Sequence, residues 1–271
     1  MPELPEVETV RRSLAPHLVG RTIATATLNR NDMVAGERSP HALLQGAKIQ
    51  RLDRRGKQLA IIARDGRVLI VQLGMSGQML ITKPLDPLPT HTHAVWTTGK
   101  PATAILFRDP RRFGGLTTLA TVDQLSQVWA TLGPDGLNIT GDDLWKVIHT
   151  SNRPIKAALL DQSVVAGVGN IYTDESLFGA GIHPKANCAR LSQARIKRLA
   201  RSVVRVLTQA VEARGSTLRD YRDADGQAGS YVAMHRVYGR ASLPCTVCGL
   251  PLSRTVVAQR TTVFCRRCQK L

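Results

Sequence analysis

The spacing of apolar and polar residues predicts a strand-rich N-terminal part and a helical C-terminal part. Between residues 21 and 120, short apolar runs alternate with turn residues. The runs predict strands near residues 48–52, 59–63, 68–73, 78–81, 94–98, 104–107 and 116–120. A helix over residues 7–19 precedes them and ends at Gly20. Many short strands at this spacing are typical of a β-sandwich or barrel.

Helical periodicity begins after a hinge predicted at residues 132–136. Thr140-Gly141-Asp142-Asp143 has the form of a capping box and predicts a helix through Ile148. A second helix begins near Ser192, with apolar residues on one face and basic residues largely on the others. The basic residues are Arg195, Lys197, Arg198, Arg201 and Arg205. This face is either a solvated surface or a contact with DNA.

Composition and charge point to a folded protein that binds a polyanion. Hydrophobic residues make up 43%, which excludes general disorder. Lys and Arg number 37 against 20 Asp and Glu, giving a formal net charge of +17, and nucleic acid is the commonest polyanion. Aromatic residues, at 4%, are too few for a long base-stacking groove, so duplex DNA is favoured over single strands.

Four of the five cysteines form a metal-binding pattern. Cys245-x2-Cys248 is followed after sixteen residues by Cys265-x2-Cys268, a spacing typical of a structural Zn²⁺ site. Two disulfides are the alternative, which the acidic, signal-free start of the chain disfavours because it predicts a cytoplasmic protein. No apolar run is long enough to predict a membrane span.

The first residues offer a candidate nucleophile. Trimming of Met1 would leave Pro2 with a free secondary amine, and an α-amino group has a pKa of ~7.7–8.0. Such an amine can attack an electrophilic carbon and form an iminium ion, with Glu3 and Glu6 nearby to transfer protons. An ordinary Met-Pro start without chemical significance is the alternative.

Two glycine-rich turns carry candidate DNA contacts. Met75 stands between Gly74 and Gly77 at a predicted turn, where it either wedges into a base stack or fills the core. Residues 109–115 form a predicted type I turn that presents Arg111, Arg112 and Phe113, or folds Phe113 back into the core. Such residues would suit an enzyme that everts a nucleotide and fills the gap.

Other polar residues are individually weak signals. Asn170 follows Gly167-Val168-Gly169 at a predicted helix start, where unpaired N–H groups can bind a phosphate. His91 and His93 share one face if their segment is a strand, which permits metal or phosphate binding, and ordinary surface histidines are the alternative. Lys57 is either catalytic, phosphate-binding or solvated.

Together these residues resemble the formamidopyrimidine-DNA glycosylase family, bacterial base-excision enzymes for oxidised purines. The matching segments are residues 1–9, Lys57, 73–77, 109–114, 167–172, 225–229 and 259–261, which run nearly end to end. The resemblance implies an α+β multidomain fold. Its parts are an N-terminal catalytic β-sandwich (1–133), a helical helix–two-turns–helix domain (134–234) and a zinc-finger β-hairpin (235–271), with DNA in the cleft.

The resemblance also implies roles for individual residues. Pro2 attacks the sugar C1′, Glu3 assists base release and ring opening, and Glu6 and Lys57 support the site. Met75, Arg111 and Phe113 fill the void, Arg112 contacts DNA beside them, and Arg111 reads the orphaned cytosine. His91, Asn170 and Arg260 clamp phosphates, Lys156 makes a contact near the lesion, and the loop 216–231 closes over the everted base.

The implied protein is a monomer with one structural Zn²⁺, no organic cofactor and no membrane partner. Its partner is double-stranded DNA containing oxidised purines. Endonuclease VIII, which removes oxidised pyrimidines, is the nearest alternative, but its start carries glycine at the position of Leu4. A non-catalytic zinc-containing DNA-binding protein is the other alternative, although such a protein has no use for Pro2 beside Glu3.

Overall fold

The computed structural model describes residues 2–219 and 221–271. Their contacts divide the chain into two units. The first comprises Met1–Ala130 and Ala213–Ser230, and the second comprises Thr131–Glu212 and Tyr231–Leu271. The division into three domains at residues 133 and 234 stays a prediction.

Helix α1 (Leu4–Leu18) opens the first unit. It begins three residues earlier than the apolar spacing indicates, because Pro5 fits the first turn, where no backbone N–H is required. Val7, Val10 and Leu14 are almost fully buried on its inner face. The helix is therefore anchored along most of its length, and its N-terminus is held in place.

Two sheets pack around one apolar core, which confirms the predicted N-terminal β-sandwich. The strands are β1 (Ile23–Leu28), β2 (Val34–Ala35), β3 (Ile49–Arg55), β4 (Gln58–Ala63), β5 (Val68–Gln72), β6 (Gln78–Thr82), β7 (Thr92–Thr98), β8 (Ala104–Arg108) and β9 (Gly115–Leu119). One sheet has the order β1-β7-β8-β6 and the other β2-β9-β5-β4-β3. The apolar pattern missed β1, which is rich in Thr, and β2, which has only two residues.

Helix α2 (Val122–Ala130) covers the outer face of the five-stranded sheet. Leu125 packs there against Ile62, Val68 and Ile70. This sheet is therefore buried on both faces, which explains why β4 and β5 are continuous apolar runs rather than alternating ones.

The second unit contains four helices in its described residues: α3 (Gly141–Ile148), α4 (Ile155–Leu160), α5 (Asn170–Ala180) and α6 (Gln193–Glu212). The predicted capping box of α3 is present, since Asp143 N donates to Thr140 Oγ1 at 3.1 Å and Thr140 N to Asp143 Oδ2 at 3.2 Å. Helix α5 is buried on nearly every side, although it contains polar residues such as Asp174 and Glu175, and it packs on α6. Strands β10 (Ser253–Val257) and β11 (Arg260–Phe264) form an antiparallel hairpin.

No helix in residues 2–219 or 221–271 has the length and apolarity that crossing a membrane requires.

Candidate active site and DNA-contacting residues

The N-terminus of α1 gathers three predicted catalytic residues. Pro2 is buried and directly precedes Glu3, the N-cap of the helix. The backbone N–H of Glu3 donates a 2.7 Å hydrogen bond to Oε2 of Glu6. Glu3 and Glu6 are 2% and 1% exposed, so two carboxyl groups are held close to Pro2 in sequence and away from bulk water. Both can transfer protons or stabilise a positive charge there.

The segment Ala213–Ser230 contacts Glu6 within the same unit. Ser216 N donates to Oε1 of Glu6 at 2.7 Å, and the Tyr221 hydroxyl donates to the Glu6 carbonyl at 3.3 Å. Burial, together with the Glu6 charge, raises the pKa of Tyr221 well above its usual range, so the hydroxyl remains a donor. Gly215 has a φ of +81°, and a Cβ there would lie 2.6 Å from Oε1 of Glu6.

A buried carboxylate fixes α1 against the strand that leads to Lys57. Lys57 lies in the turn between β3 and β4, three residues after Arg54. Arg54 Nε donates to Oε2 of Glu8 at 3.1 Å, while Arg11 and Arg12 bind the same carboxylate at 2.8 Å. Burial alone would raise the pKa of Glu8, but the hydrogen bonds and charges of these guanidinium groups lower it to about 2.

The loops carrying Met75, Arg111 and Phe113 lie together. Met75 is 39% exposed and Phe113 61% exposed, which excludes the alternative in which they fill the core. The Arg111 guanidinium carbon lies 5.4 Å from the Phe113 ring centroid. Gly74, with a φ of +59°, permits the close approach, because a Cβ there would lie 2.3 Å from the Phe113 carbonyl carbon.

Asp109 holds these two loops together. It is fully buried, and its Oδ1 accepts hydrogen bonds from Ser76 Oγ at 2.5 Å and Arg111 N at 3.3 Å. Its Oδ2 accepts from Gly114 N at 2.7 Å. One carboxylate therefore sets the conformation on both sides of Phe113 and beside Met75. This role was not predicted from the sequence, although the Asp109-Pro110 turn contains the signal.

Arg112 and His91 are exposed at the edges of this region. Arg112 Nη1 lies 3.2 Å from Oδ2 of Asp32. The prediction that His91 and His93 share a strand face is wrong, because His91 has a φ of 65° and precedes β7. His93 is buried, with Nε2 2.8 Å from the Asp109 carbonyl oxygen.

In the second unit, Asn170 begins α5 and contacts the hairpin. Asn170 Nδ2 donates to the Thr261 carbonyl at 3.1 Å, and Thr261 directly follows the exposed Arg260. One amide hydrogen of Asn170 is thereby used, and the other remains available for a phosphate oxygen. The hydrogen bond places two predicted phosphate contacts beside each other.

Lys156 is the main correction among the predicted site residues. It is fully buried, so a direct surface contact with DNA does not fit the structure. Its Nζ lies 2.6 Å from Oδ1 of Asp174 and 3.2 Å from the Thr261 carbonyl. Asp174 Oδ2 accepts from Val263 N at 3.1 Å. Asp174 was missed, but an Asp and a Glu side by side within the predicted helical run 171–178 were the available signal.

The four predicted zinc ligands form one cluster. Cys245, Cys248, Cys265 and Cys268 are free thiols whose sulfur atoms all lie within 4.8 Å of one another. The Sγ–Sγ distances are 3.9 Å for Cys245 and Cys268 and 3.5 Å for Cys248 and Cys265. A Zn–S bond of ~2.3 Å requires sulfur separations of roughly 3.8 Å in a tetrahedron, so these residues fit one structural Zn²⁺.

Three family models match the chain. They are the formamidopyrimidine-DNA glycosylase N-terminal domain over residues 1–116, the H2TH domain of the same enzymes over residues 132–222, and a zinc finger found in FPG and IleRS over residues 242–271. The three matched modules are those that the resemblance implies, in the same order along the chain.

Curated relatives match over the whole length. The formamidopyrimidine-DNA glycosylase of Solibacter usitatus is 42% identical over 273 residues and covers all of both chains. The enzyme of Teredinibacter turnerae is 40% identical, with 99% of this chain and 100% of the relative covered.

Solved structures of the same family are similar to this chain over nearly its whole length. The MutM (Fpg) protein of Thermus thermophilus is 41% identical, with a TM-score of 0.87 over 99% of this chain and 98% of the other. A Lactococcus lactis Fpg bound to abasic-site DNA is 32% identical, with a TM-score of 0.91 over 99% of this chain and 100% of the other. The chain therefore belongs to the formamidopyrimidine-DNA glycosylase family.

Proposed function

We propose that Pro2 is the nucleophile with which this DNA glycosylase excises oxidised purines, namely 8-oxoguanine and formamidopyrimidines, from duplex DNA. The position of Pro2 directly before the buried Glu3 and Glu6 at the start of α1 carries the proposal. A Lactococcus lactis member of the family has been solved with Fapy-dG-containing DNA, which supports the substrate class.

The chemistry begins at the sugar C1′. The neutral Pro2 amine forms a bond to C1′, the glycosidic bond breaks, and the base leaves with the bonding electrons and a proton. Glu3 donates a proton during base release and opening of the sugar ring, which produces the iminium ion. β- and δ-elimination then expel the two flanking phosphates and leave a one-nucleotide gap, which is the AP lyase activity. Water finally hydrolyses the iminium bond, which releases the sugar fragment as an aldehyde and frees the Pro2 amine.

Other residues support binding and positioning. Glu6, held by Ser216 N, and Lys57 support the catalytic site. Met75 and Phe113 fill the space of the everted nucleotide, and Arg111 reads the opposite cytosine, with Arg112 beside it. His91, Asn170 and Arg260 bind phosphates. Lys156 positions Thr261 and hence Arg260, rather than contacting DNA itself.

The zinc ion would be held by Cys245, Cys248, Cys265 and Cys268 and has a structural role, because four thiolates leave no open coordination position. We expect the protein to act as a monomer in the cytoplasm, where its duplex DNA substrate is found.

Borohydride trapping tests the function. Protein with a free Pro2, verified by mass, is incubated with duplex carrying 8-oxoguanine opposite cytosine, and the adduct is mapped. We expect the adduct on Pro2. Protein that retains Met1 is the matched control and should form none.

An adduct only with an oxidised-pyrimidine duplex would identify endonuclease VIII specificity. No adduct on either duplex would leave a DNA-binding protein and overturn the proposal.

A further inference from the structure

A cavity of about 320 Å³ lies within the second unit, bounded by α5, α6 and the segment after Ser230. Arg205 and Gln209 of α6 form one side, and Tyr231 and Arg236 form another. The basic face of α6, for which the sequence left two interpretations open, therefore borders a concave surface rather than an evenly solvated one. Neither the catalytic chemistry nor the zinc site uses these residues.

Four hydrogen-bonding side chains in this wall are unpaired. The guanidinium groups of Arg205 and Arg236, the amide of Gln209 and the hydroxyl of Tyr231 make no hydrogen bond or ion pair with any residue in the described ranges. Tyr231 is 3% exposed as a whole, but its hydroxyl is not among the buried polar atoms that lack a partner, so its oxygen faces the open cavity, as the exposed side chains of Arg205 and Gln209 do. Four donors thus converge on one concave surface, where a ligand that accepts hydrogen bonds could engage them together.

Both guanidinium groups are positioned without using their donors. The Arg236 guanidinium carbon lies 4.4 Å from the Phe178 ring centroid, a cation–π contact. Arg205 extends over Gly179, with Nη2 2.8 Å from the point where a Cβ would lie. The two guanidinium groups thus lie over adjacent residues of α5, that of Arg205 exposed to solvent, with their N–H groups available for a ligand.

The acidic residue of the cavity, Glu175, offsets only part of their charge, through its electrostatic interaction with Arg236. The Glu175 carboxylate accepts hydrogen bonds from the backbone N–H groups of Arg236, Val237 and Tyr238 at 2.8–3.1 Å. Neither arginine lies within ion-pair distance of Glu175 in the described residues. The wall consequently keeps an excess of positive charge.

We propose that this cavity binds the phosphate group of a nucleotide between Arg205 and Arg236. Two guanidinium groups match phosphate oxygens in geometry and charge, and Tyr231 and Gln209 supply further donors. The volume exceeds that of a phosphate ion, and Val206 and Met234 offer apolar contact for the attached sugar or base. The phosphate belongs either to a free mononucleotide or to a nucleic-acid strand.

Calorimetry with wild-type protein and single variants tests the site. The probes are 2′-deoxyguanosine 5′-monophosphate, the same nucleoside without phosphate, and an undamaged duplex. Arg205→Gln and Arg236→Gln should each weaken binding of a phosphate-bearing probe about tenfold or more, and Tyr231→Phe about threefold or more. Tyr231→Phe is the sharpest variant because it keeps the ring contacts and the net charge.

Lys197→Gln is the matched control, since Lys197 lies on the same helix and is ion-paired with Asp142 at 2.9 Å. It removes the same charge and should leave binding unchanged. Urea unfolding of each variant verifies that the fold is retained.

The two phosphate sources give different results. Loss of mononucleotide affinity identifies a free nucleotide, whereas weaker duplex binding with a salt slope reduced by about one identifies a strand phosphate. Four outcomes would overturn the proposal. The first two are equal binding of the nucleoside without phosphate and unchanged binding of both phosphate-bearing probes in the variants. The others are an equal effect of Lys197→Gln and an effect of Arg205→Gln that Arg236→Gln and Tyr231→Phe do not share. Because Pro2 trapping is a separate measurement, failure here is distinguishable from failure of the proposed function.

Discussion

The ammonium nitrogen of Lys156 lies 2.6 Å from a carboxylate oxygen of Asp174, and neither side chain is more than 1% exposed. Burial raises the pKa of Asp174 to about 6, although the Lys156 charge and the Val263 N–H oppose this. Both members also bind the hairpin, Lys156 at the Thr261 carbonyl and Asp174 at Val263 N. The pair therefore joins α4, α5 and β11 beside Arg260.

Removing one member of this ion pair should lower the stability of the protein strongly. We expect Lys156→Met to lower the free energy of unfolding by about 3–5 kcal/mol, because Asp174 is left buried without its counter-charge. Lys156→Met/Asp174→Leu should recover most of this loss in urea unfolding. The same double variant should still bind abasic duplex more weakly than wild type, since the contact with Thr261 is absent. Equal affinity would contradict a positioning role, and Lys197→Gln controls for loss of a surface charge.

Loss of the Asp109 carboxylate should slow base excision from duplex DNA more than it slows cleavage of a preformed abasic site. Asp109→Asn keeps the shape but replaces one acceptor oxygen by an NH2 group, so the side chain can no longer accept from both Arg111 N and Gly114 N. We expect about tenfold slower excision from duplex and a smaller effect on a preformed abasic site, measured by strand cleavage. Asp86→Asn, at an exposed carboxylate, is the control. Equal effects on both substrates would contradict the loop-holding role.

Exposed Met75 and Phe113 give a related test. We expect Met75→Ala and Phe113→Ala to impair excision of 8-oxoguanine from duplex. Cleavage of a preformed abasic site should be less affected, because no base has to be unstacked and everted at that site. Strand cleavage assays on the two substrates measure the ratio. Leu85→Ala, which removes a fully exposed apolar side chain elsewhere in the same unit, should change neither rate. A uniform loss on both substrates would argue against void filling.

The elements with strong periodicity could be predicted from sequence, and so could the cysteine cluster, whose spacing is itself the signal. The family resemblance supplied Pro2 and Glu3, which spacing alone does not distinguish from an ordinary Met-Pro-Glu start. Lys156 was misplaced because a lysine before an apolar run looks exposed unless its partner is known. Asp174 lies 18 residues later, and no local pattern joins the two.

Metal removal should affect the hairpin first. A structural Zn²⁺ contributes folding free energy directly, so chelation should loosen β10 and β11 and lower duplex affinity through Arg260 and Asn170. Hydrogen exchange of the hairpin amides and a duplex titration before and after chelation measure both effects. Re-addition of Zn²⁺ should restore them. Unchanged exchange and affinity in zinc-free protein would contradict the assignment.

Glu8 links stability to pH. Its folded pKa of about 2 lies below the usual 4.5, so its contribution to stability is fully present above pH 4.5 and is lost as the pH falls towards 2. The difference corresponds to at most about 3 kcal/mol at pH 7, reduced to about 1–2 kcal/mol because Arg12 is largely exposed to solvent. Glu8→Gln should therefore destabilise the protein by about this amount at pH 7 in urea unfolding.

By pH 3 the difference between Glu8→Gln and wild type should have fallen to less than about half of its value at pH 7, because the unfolded carboxyl is then protonated. Asp53→Asn is the control on strand β3, where the ion pair with Arg51 is exposed and should contribute less than about 0.5 kcal/mol at either pH. A Glu8→Gln effect that stays constant between pH 7 and pH 3 would show that the carboxylate acts by packing rather than by charge. The hydrogen bond between Glu8 and Arg54 fixes α1 near Lys57, so loss of the Glu8 charge should also affect catalysis. Glu8→Gln should slow formation of the Pro2 adduct at pH 7, whereas Asp53→Asn should not.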